Sequence, residues 1–344
     1  MEDAQWLSVA AGPGAVLRWA RATGLVADEG EERRLAAMKL DVLAEGALPR
    51  SGMQNVALTA RWAVFICCVD DLVDRCGLGL VPGEAEEFTA PLRAVLAGDG
   101  GTPLARRPAY ARVLKELWEH TSAGMSLQWR GRFTADYIDF LDATEEEVAL
   151  RRDGVRLTVA QYVQLRRRTI TLLPLLDVLE RTGDAPMVEC EQVGDRLGEL
   201  RRALADVAGW VNDLASAADD AAAGQDNLVT ALAWQEKCCL AEARQRATAM
   251  IAERRSTFHT IAAALRTGRE VPPQLRQDVR RYVDLTQTFL TATLRWLAAT
   301  GRFTPGPGLA CVDASGPRPR RLGCCPMNAA SSNAHTTTHA KRPR

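Results

Sequence analysis

Phe65-Ile66-Cys67-Cys68-Val69-Asp70-Asp71-Leu72-Val73-Asp74-Arg75 runs from an apolar stretch straight into three carboxylates. A helix places Asp70 and Asp74 on one face and turns Asp71 about 100° away. Trp62, Ala63, Ile66 and Cys67 lie one and two turns earlier. The helix predicted over 54–75 is therefore buried along its length and ends in negative charge. Carboxylates crowded beside a core disfavour each other's ionised forms and lose hydration, which calls for a cation between them. Taken alone, these residues also suit a helix end that has just reached water.

Outward from this helix the pattern stays helical. Ala, Leu, Arg and Glu dominate and apolar positions recur at three and four, with no sustained strand-like alternation. Helices are expected over 14–20, 31–45, 84–97, 108–122, 125–151, 188–218, 227–266 and 274–300. Trp129, Phe133, Tyr137 and Phe140 form an aromatic stripe that reads as core rather than ligand wall. Thr158 and Gln161 have the spacing of a capping box, and Pro174 must break or kink the apolar helix around it. The expectation is an all-α chain with one domain over 1–303. Beyond residue 303, Pro, Gly, Ser, Asn and Thr replace the apolar period, so 304–344 reads as a disordered tail.

Composition narrows the function. The chain has 344 residues with 43 basic and 43 acidic ones, and such neutrality argues against a nucleic-acid partner. No apolar run approaches the roughly 20 residues that span a bilayer. Met1-Glu2-Asp3-Ala4 lacks the layout of a signal peptide, and the nine cysteines show no C-x-x-C spacing. A cytoplasmic protein with reduced thiols is expected.

A second polar stripe lies far downstream, in the 188–218 helix and just past its expected end. Asn212, Ser216 and Asp220 stand at i, i+4 and i+8, which aligns an amide oxygen, a hydroxyl and a carboxylate in one row. All are hard oxygen donors of the kind Mg²⁺ takes. A polar helix face would explain the triplet alone; two oxygen-rich stripes on apolar helices read better as two jaws of one metal site.

Here the sequence resembles the class I terpene synthases of bacterial type. Asp70-Asp71-Leu72-Val73-Asp74 matches their D-D-x-x-D motif. Asn212, Ser216 and Asp220 match their second metal motif, with Asp in the final place. Arg166 stands 46 residues before Asn212, where the family carries a diphosphate-sensing arginine. Asp226-Asn227-Leu228-Val229 resembles the stretch after the second motif, and Arg302-Phe303 occupies the place of an Arg-Tyr pair. Three departures are Asp219 for a usual Lys, Phe303 for Tyr, and Ile170 where Gly is frequent.

The resemblance implies a single-domain helical bundle around a central cavity. It implies three Mg²⁺ ions on Asp70, Asp71, Asp74, Asn212, Ser216 and Asp220, with Arg166 and Arg302 as cationic donors to a leaving diphosphate. Arg167 and Arg168 point elsewhere and read as surface. Residues before the motifs on the same faces, Ile66, Ala208 and Gly209 among them, are expected to line a roomy apolar pocket. Phe65, Thr169 and Trp296 are expected beside them. The substrate expected is a prenyl diphosphate, farnesyl diphosphate first, with geranylgeranyl or a bicyclic diterpenyl diphosphate as the alternative. A chain-elongating prenyltransferase and a non-enzymatic helical scaffold are readings of other kinds. No membrane span is expected, and the resemblance leaves room for a homodimer.

Overall fold

The computed structural model describes residues 14–74, 78, 81–98, 107–269 and 271–303. Along the chain lie α1 (Ala15–Ala22), α2 (Glu29–Met38), α3 (Leu40–Ala47), α4 (Met53–Asp74), α5 (Glu84–Ala97) and α6 (Pro108–Ser122). They are followed by α7 (Leu127–Asp153), α8 (Val159–Thr169), α9 (Leu172–Thr182), α10 (Glu191–Ala223), α11 (Leu228–Glu236), α12 (Leu240–Thr267) and α13 (Arg276–Ala299). Among the described residues there is no strand, and the fold is the all-α bundle expected. The expected tail, 304–344, lies outside them.

Local chemistry sets several boundaries. Thr158 accepts from the Gln161 amide through its hydroxyl, and the Gln161 side chain accepts from the Thr158 amide, so α8 opens on the predicted capping box. Gly154 and Gly224 end α7 and α10 at φ 66° and 69°, the left-handed conformation glycine adopts without a Cβ penalty. The break between α8 and α9 falls at Ile170-Thr171, with Thr171 at φ 58°. Pro174 explains its position: its ring has no N–H for the Ile170 carbonyl and would clash with it in a continuous helix.

Two predicted helices are split. The 31–45 helix is interrupted at Lys39, at φ 53°, although neither Gly nor Pro marks the spot. The 227–266 helix breaks at Lys237, at φ 52°, between α11 and α12. Tertiary contacts explain the first break. It frees the last carbonyls of α2 to take donors from the C-terminal segment: Trp296 Nε1 reaches the Met38 carbonyl at 2.5 Å. Thr300 Oγ1 reaches the same oxygen at 3.1 Å, and the Gly301 amide reaches the Ala37 carbonyl at 2.8 Å. These bonds fix where Arg302 begins.

α10 packs on α8, α11, α12 and α13, while α4 packs on α1, α3, α6 and α9. The aromatic stripe of α7 is core, as expected. Trp129, Phe133, Tyr137 and Phe140 are all buried, and Phe133 stacks on Trp118 at 4.9 Å between centroids. Trp62 meets the same ring edge-on at 5.2 Å and satisfies its own N–H on Thr121 Oγ1 at 2.7 Å.

Candidate active site

α4 and α10 carry the two oxygen-bearing stripes, and the fold sets the first member of each, Asp70 and Asn212, against one pocket. Ser216 and Asp220 are not among its lining residues. The pocket holds about 630 Å³ of empty space, part of it open to solvent. Asp70, Asn212, Arg166 and Arg302 line it, with Ile66, Thr169, Ala208 and Trp296 on the same wall. A scaffold whose stripes faced solvent apart from each other is excluded by this arrangement.

Two residues expected on the wall lie elsewhere. Phe65 is fully buried against Trp62 and Tyr110, with centroids 6.2 and 6.0 Å away. It stands five residues before Asp70, about 140° round the helix, so a pocket-facing Asp70 turns it into the core. Gly209 sits in the contact between α10 and α8, where an added Cβ would lie 3.6 Å from both Arg166 and Ile170.

On the α4 side, the cation that the sequence called for is Arg302. Its Nη2 donates to Asp70 and lies 3.6 Å from Asp71 Oδ1, while Nη1 meets Cys67 Sγ at 3.6 Å. Burial works against the Arg302 charge, but Asp70, Cys67 and Asp71 outweigh it and raise its pKa. Burial also pushes the Cys67 thiol up to about 12, so it faces the pocket as a neutral thiol. Asp71, on the next helix face, lines a separate hollow with Glu31, Arg34 and Cys68. Asp74 ends α4, and its side chain lies outside the described residues.

On the α10 side the row is internally bonded. Ser216 Oγ donates to Asp220 Oδ2 at 2.5 Å, and Asn227 Nδ2 donates to the same oxygen at 2.8 Å. Asn212 Oδ1 accepts from Arg166 Nη2 at 2.9 Å. The sequence reading missed Asp213. Only 2% exposed, it accepts Arg166 Nε and the Tyr162 hydroxyl, each at 2.8 Å. Burial raises its pKa, with Arg166 and Tyr162 pulling it back. Its signal was adjacency to Asn212, but the neighbouring position points about 100° off the stripe and reads as filler.

Arg168 takes partly exposed partners, Asp139 and Glu146, at 2.7 Å each, as a surface residue should. Arg167 departs from the surface expectation. It forks onto Asp206 at 2.8 and 2.9 Å, and that carboxylate is 2% exposed and shared with Arg254. A buried carboxylate on α10 needed a partner, and Arg167 is the α8 residue facing it.

No three His, Cys, Asp or Glu side chains gather as a metal cluster among the described residues. The donors are split between two helices instead, and two of them, Asn212 and Ser216, are neutral. Their chemistry nevertheless fits a hard divalent cation: every member is an oxygen. Asp70, Asn212 and Asp220 are each already met by a cationic or polar hydrogen donor.

Residues 61–257 match the profile of the family described as terpene synthase family 2, C-terminal metal binding. The chain is 29% identical to pristinol synthase of Streptomyces pristinaespiralis, over 88% of this chain and 82% of that one. It is 25% identical to a 7-epi-alpha-eudesmol synthase ((2E,6E)-farnesyl diphosphate cyclizing) of Streptomyces viridochromogenes, over 83% and 85% of the two chains. Among solved structures, it superimposes on a linalool/nerolidol synthase from Streptomyces clavuligerus in complex with 2-fluorogeranyl diphosphate. That match has a TM-score of 0.73 and 25% identity, and covers 82% of this chain and 96% of the other.

Proposed function

This chain belongs to that metal-binding terpene synthase family, and from this premise we propose that it expels diphosphate from farnesyl diphosphate and closes the cation to a sesquiterpene. The observation that carries the proposal is the shared pocket: Asp70 with Arg302 and Asn212 with Arg166 converge on one apolar cavity. Polar groups fit the diphosphate, and Leu40, Leu43, Leu175 and Leu297 fit the prenyl chain.

Asp70, Asp71, Asn212, Ser216 and Asp220 would hold Mg²⁺, with three ions as the number the family implies and Asp74 completing its motif. Bound there, Mg²⁺ supplies charge neutralisation as the C–O bond breaks and its electron pair leaves with the diphosphate. Arg166 and Arg302 fix the leaving group with charge-assisted hydrogen bonds. The apolar wall keeps water from the carbocation until a proton is lost or one water is captured. At the α8–α9 break, Pro174 leaves the Ile170 carbonyl without its helical donor, and that dipole is available to positive charge. Leucine and tryptophan side chains on the pocket wall, together with the farnesyl-cyclising relative, favour C15 over C20.

The same reading makes 1–303 the catalytic domain and 304–344 a dispensable tail. It puts the enzyme in the cytoplasm with reduced cysteines, and leaves a homodimer open. No helix of the described residues is long and apolar enough to cross a membrane, and the described cysteines are free. The test is product analysis by gas chromatography and mass spectrometry after incubation with Mg²⁺ and farnesyl or geranylgeranyl diphosphate. A cyclic C15 product that disappears with chelator is expected; conversion of the C20 substrate alone would overturn the farnesyl assignment.

A further inference from the structure

Arg166 is held by more than its own helix. Its Nε donates to Asp213 Oδ1 at 2.8 Å and its Nη2 to Asn212 Oδ1 at 2.9 Å, and among the described residues Nη1 has no protein acceptor. Asp213 is itself fixed from two other elements. The Tyr162 hydroxyl donates to its Oδ2 at 2.8 Å, and the Leu228 amide at the start of α11 approaches the same oxygen at 3.3 Å. Tyr162 and Arg166 stand at i and i+4 on α8, so they close on the carboxylate from one helix face.

A planar guanidinium is oriented by whichever edge is engaged, because its five donors lie in a rigid fork. Engaging the Nε edge leaves the Nη side for the pocket, which Arg166 lines. Other carboxylates compete for the same side chain: Glu147 and Asp70 both attract it. The bond to Asn212 is the one that a cation ligated by Asn212 would contest, whereas the bond to Asp213 lies off that stripe. We infer that Asp213, braced by Tyr162, is the positioning residue that keeps the Arg166 fork aimed at the diphosphate once Asn212 is engaged elsewhere. The inference rests on the prenyl diphosphate reading and adds two residues to its machinery.

The test is a mutant cycle. Asp213→Asn and Tyr162→Phe are each made in the native chain and in Arg166→Ala. Two quantities are read: kcat with Mg²⁺ and farnesyl diphosphate, and the affinity for inorganic pyrophosphate with Mg²⁺ by calorimetry. Asp213→Asn is expected to lower kcat about 10- to 100-fold and to weaken pyrophosphate in proportion, since a misaimed donor loses most of one preorganised contact. Tyr162→Phe, which removes one neutral donor, is expected to cost about threefold. In Arg166→Ala neither change should lower kcat or pyrophosphate affinity further. Full, additive losses in that background would overturn the inference while leaving the diphosphate reading intact. Arg166→Ala turning over and binding pyrophosphate like the native chain would overturn both. Should Asp213→Asn fail to fold, Tyr162→Phe decides alone: unchanged kcat and pyrophosphate affinity would overturn the inference.

Discussion

α10 buries charge at Arg201, Asp206 and Asp213, and the first and last of these do opposite things. Towards its C-terminal half, Asp213 holds Arg166 at the edge of the pocket. Nearer its start, Arg201 is sealed. Its Nη1 donates to Glu180 at 2.9 Å and to the Tyr282 hydroxyl at 3.2 Å, and its Nη2 to Asp136 at 2.6 Å and Asp177 at 2.9 Å. Arg132 adds a second cation to Asp177 and Glu180. α9 connects the two regions: Leu172 and Leu175 line the pocket, and Asp177 and Glu180 sit in the sealed cluster two to five residues later. The contrast teaches that a buried ion pair is no sign of a site by itself. What separates the two is whether both terminal nitrogens of the guanidinium are taken by the protein, as in Arg201, or one is left over for something else, as in Arg166.

The contrast breaks most visibly at Arg201. Arg201→Met leaves Asp177 and Glu180 buried with one cation fewer, and is expected to cost about 3–5 kcal/mol of stability. Turnover per folded molecule should barely change, because none of the cluster's charged side chains lines the pocket. Denaturant unfolding and an active-site-normalised kcat check both halves, and a large kcat loss at native stability would erase the distinction.

Arg166→Ala is the mirror case, with an expected kcat loss of about 10²–10³ from one missing charge-assisted contact. Asp213 is left buried without its cation, so the melting temperature should fall as well. Arg166→Lys keeps a charge against Asp213 but loses the fork, and should recover stability more fully than rate. Equal recovery of both would show that charge alone, and not orientation, matters at this position.

pH probes the sealed cluster without mutation. Burial pushes the Asp136 carboxyl up to about 6 and the Glu180 carboxyl up to about 7. The folded state therefore holds protons that an unfolded chain, with ordinary carboxylates, releases at lower pH. Stability from such raised groups is full at low pH and is lost as pH rises through their folded values. The melting temperature should fall from about pH 5 to pH 8 as far as this cluster decides it. Asp136→Asn should flatten that slope, and an unaltered slope in the variant would place the titrating group elsewhere.

The smallest effect belongs to Arg168, whose partners Asp139 and Glu146 are half exposed. Arg168→Ala should change stability by no more than about 1 kcal/mol and leave kcat within a factor of two. A loss comparable to that of Arg166→Ala would mean that the register of α8 towards the pocket is wrong.

How much of this was legible follows the range of the interactions. Apolar spacing and local caps marked α5 and α6 to the residue, and the Thr158–Gln161 box opened α8 where it should. The stripes of α4 and α10 were legible because i, i+4 geometry alone puts their oxygens in rows. The break at Lys39 was not, since it is stabilised by donors from Trp296 and Gly301 more than 250 positions away. Asp213 was passed over because one-dimensional periodicity assigns a neighbour of Asn212 to a different face and says nothing of what meets it there.

By itself, then, the sequence determined the helical class, the two oxygen rows and the arginine spacing, all of which depend on contacts within a few turns. Tertiary structure alone decided that Arg302 comes back onto Asp70, that Phe65 turns inward, and that Asp213 rather than solvent receives Arg166. Those outcomes rest on which helix faces meet, and desolvation makes them stringent. Once a carboxylate is buried, only the particular cation that another helix delivers can hold it there.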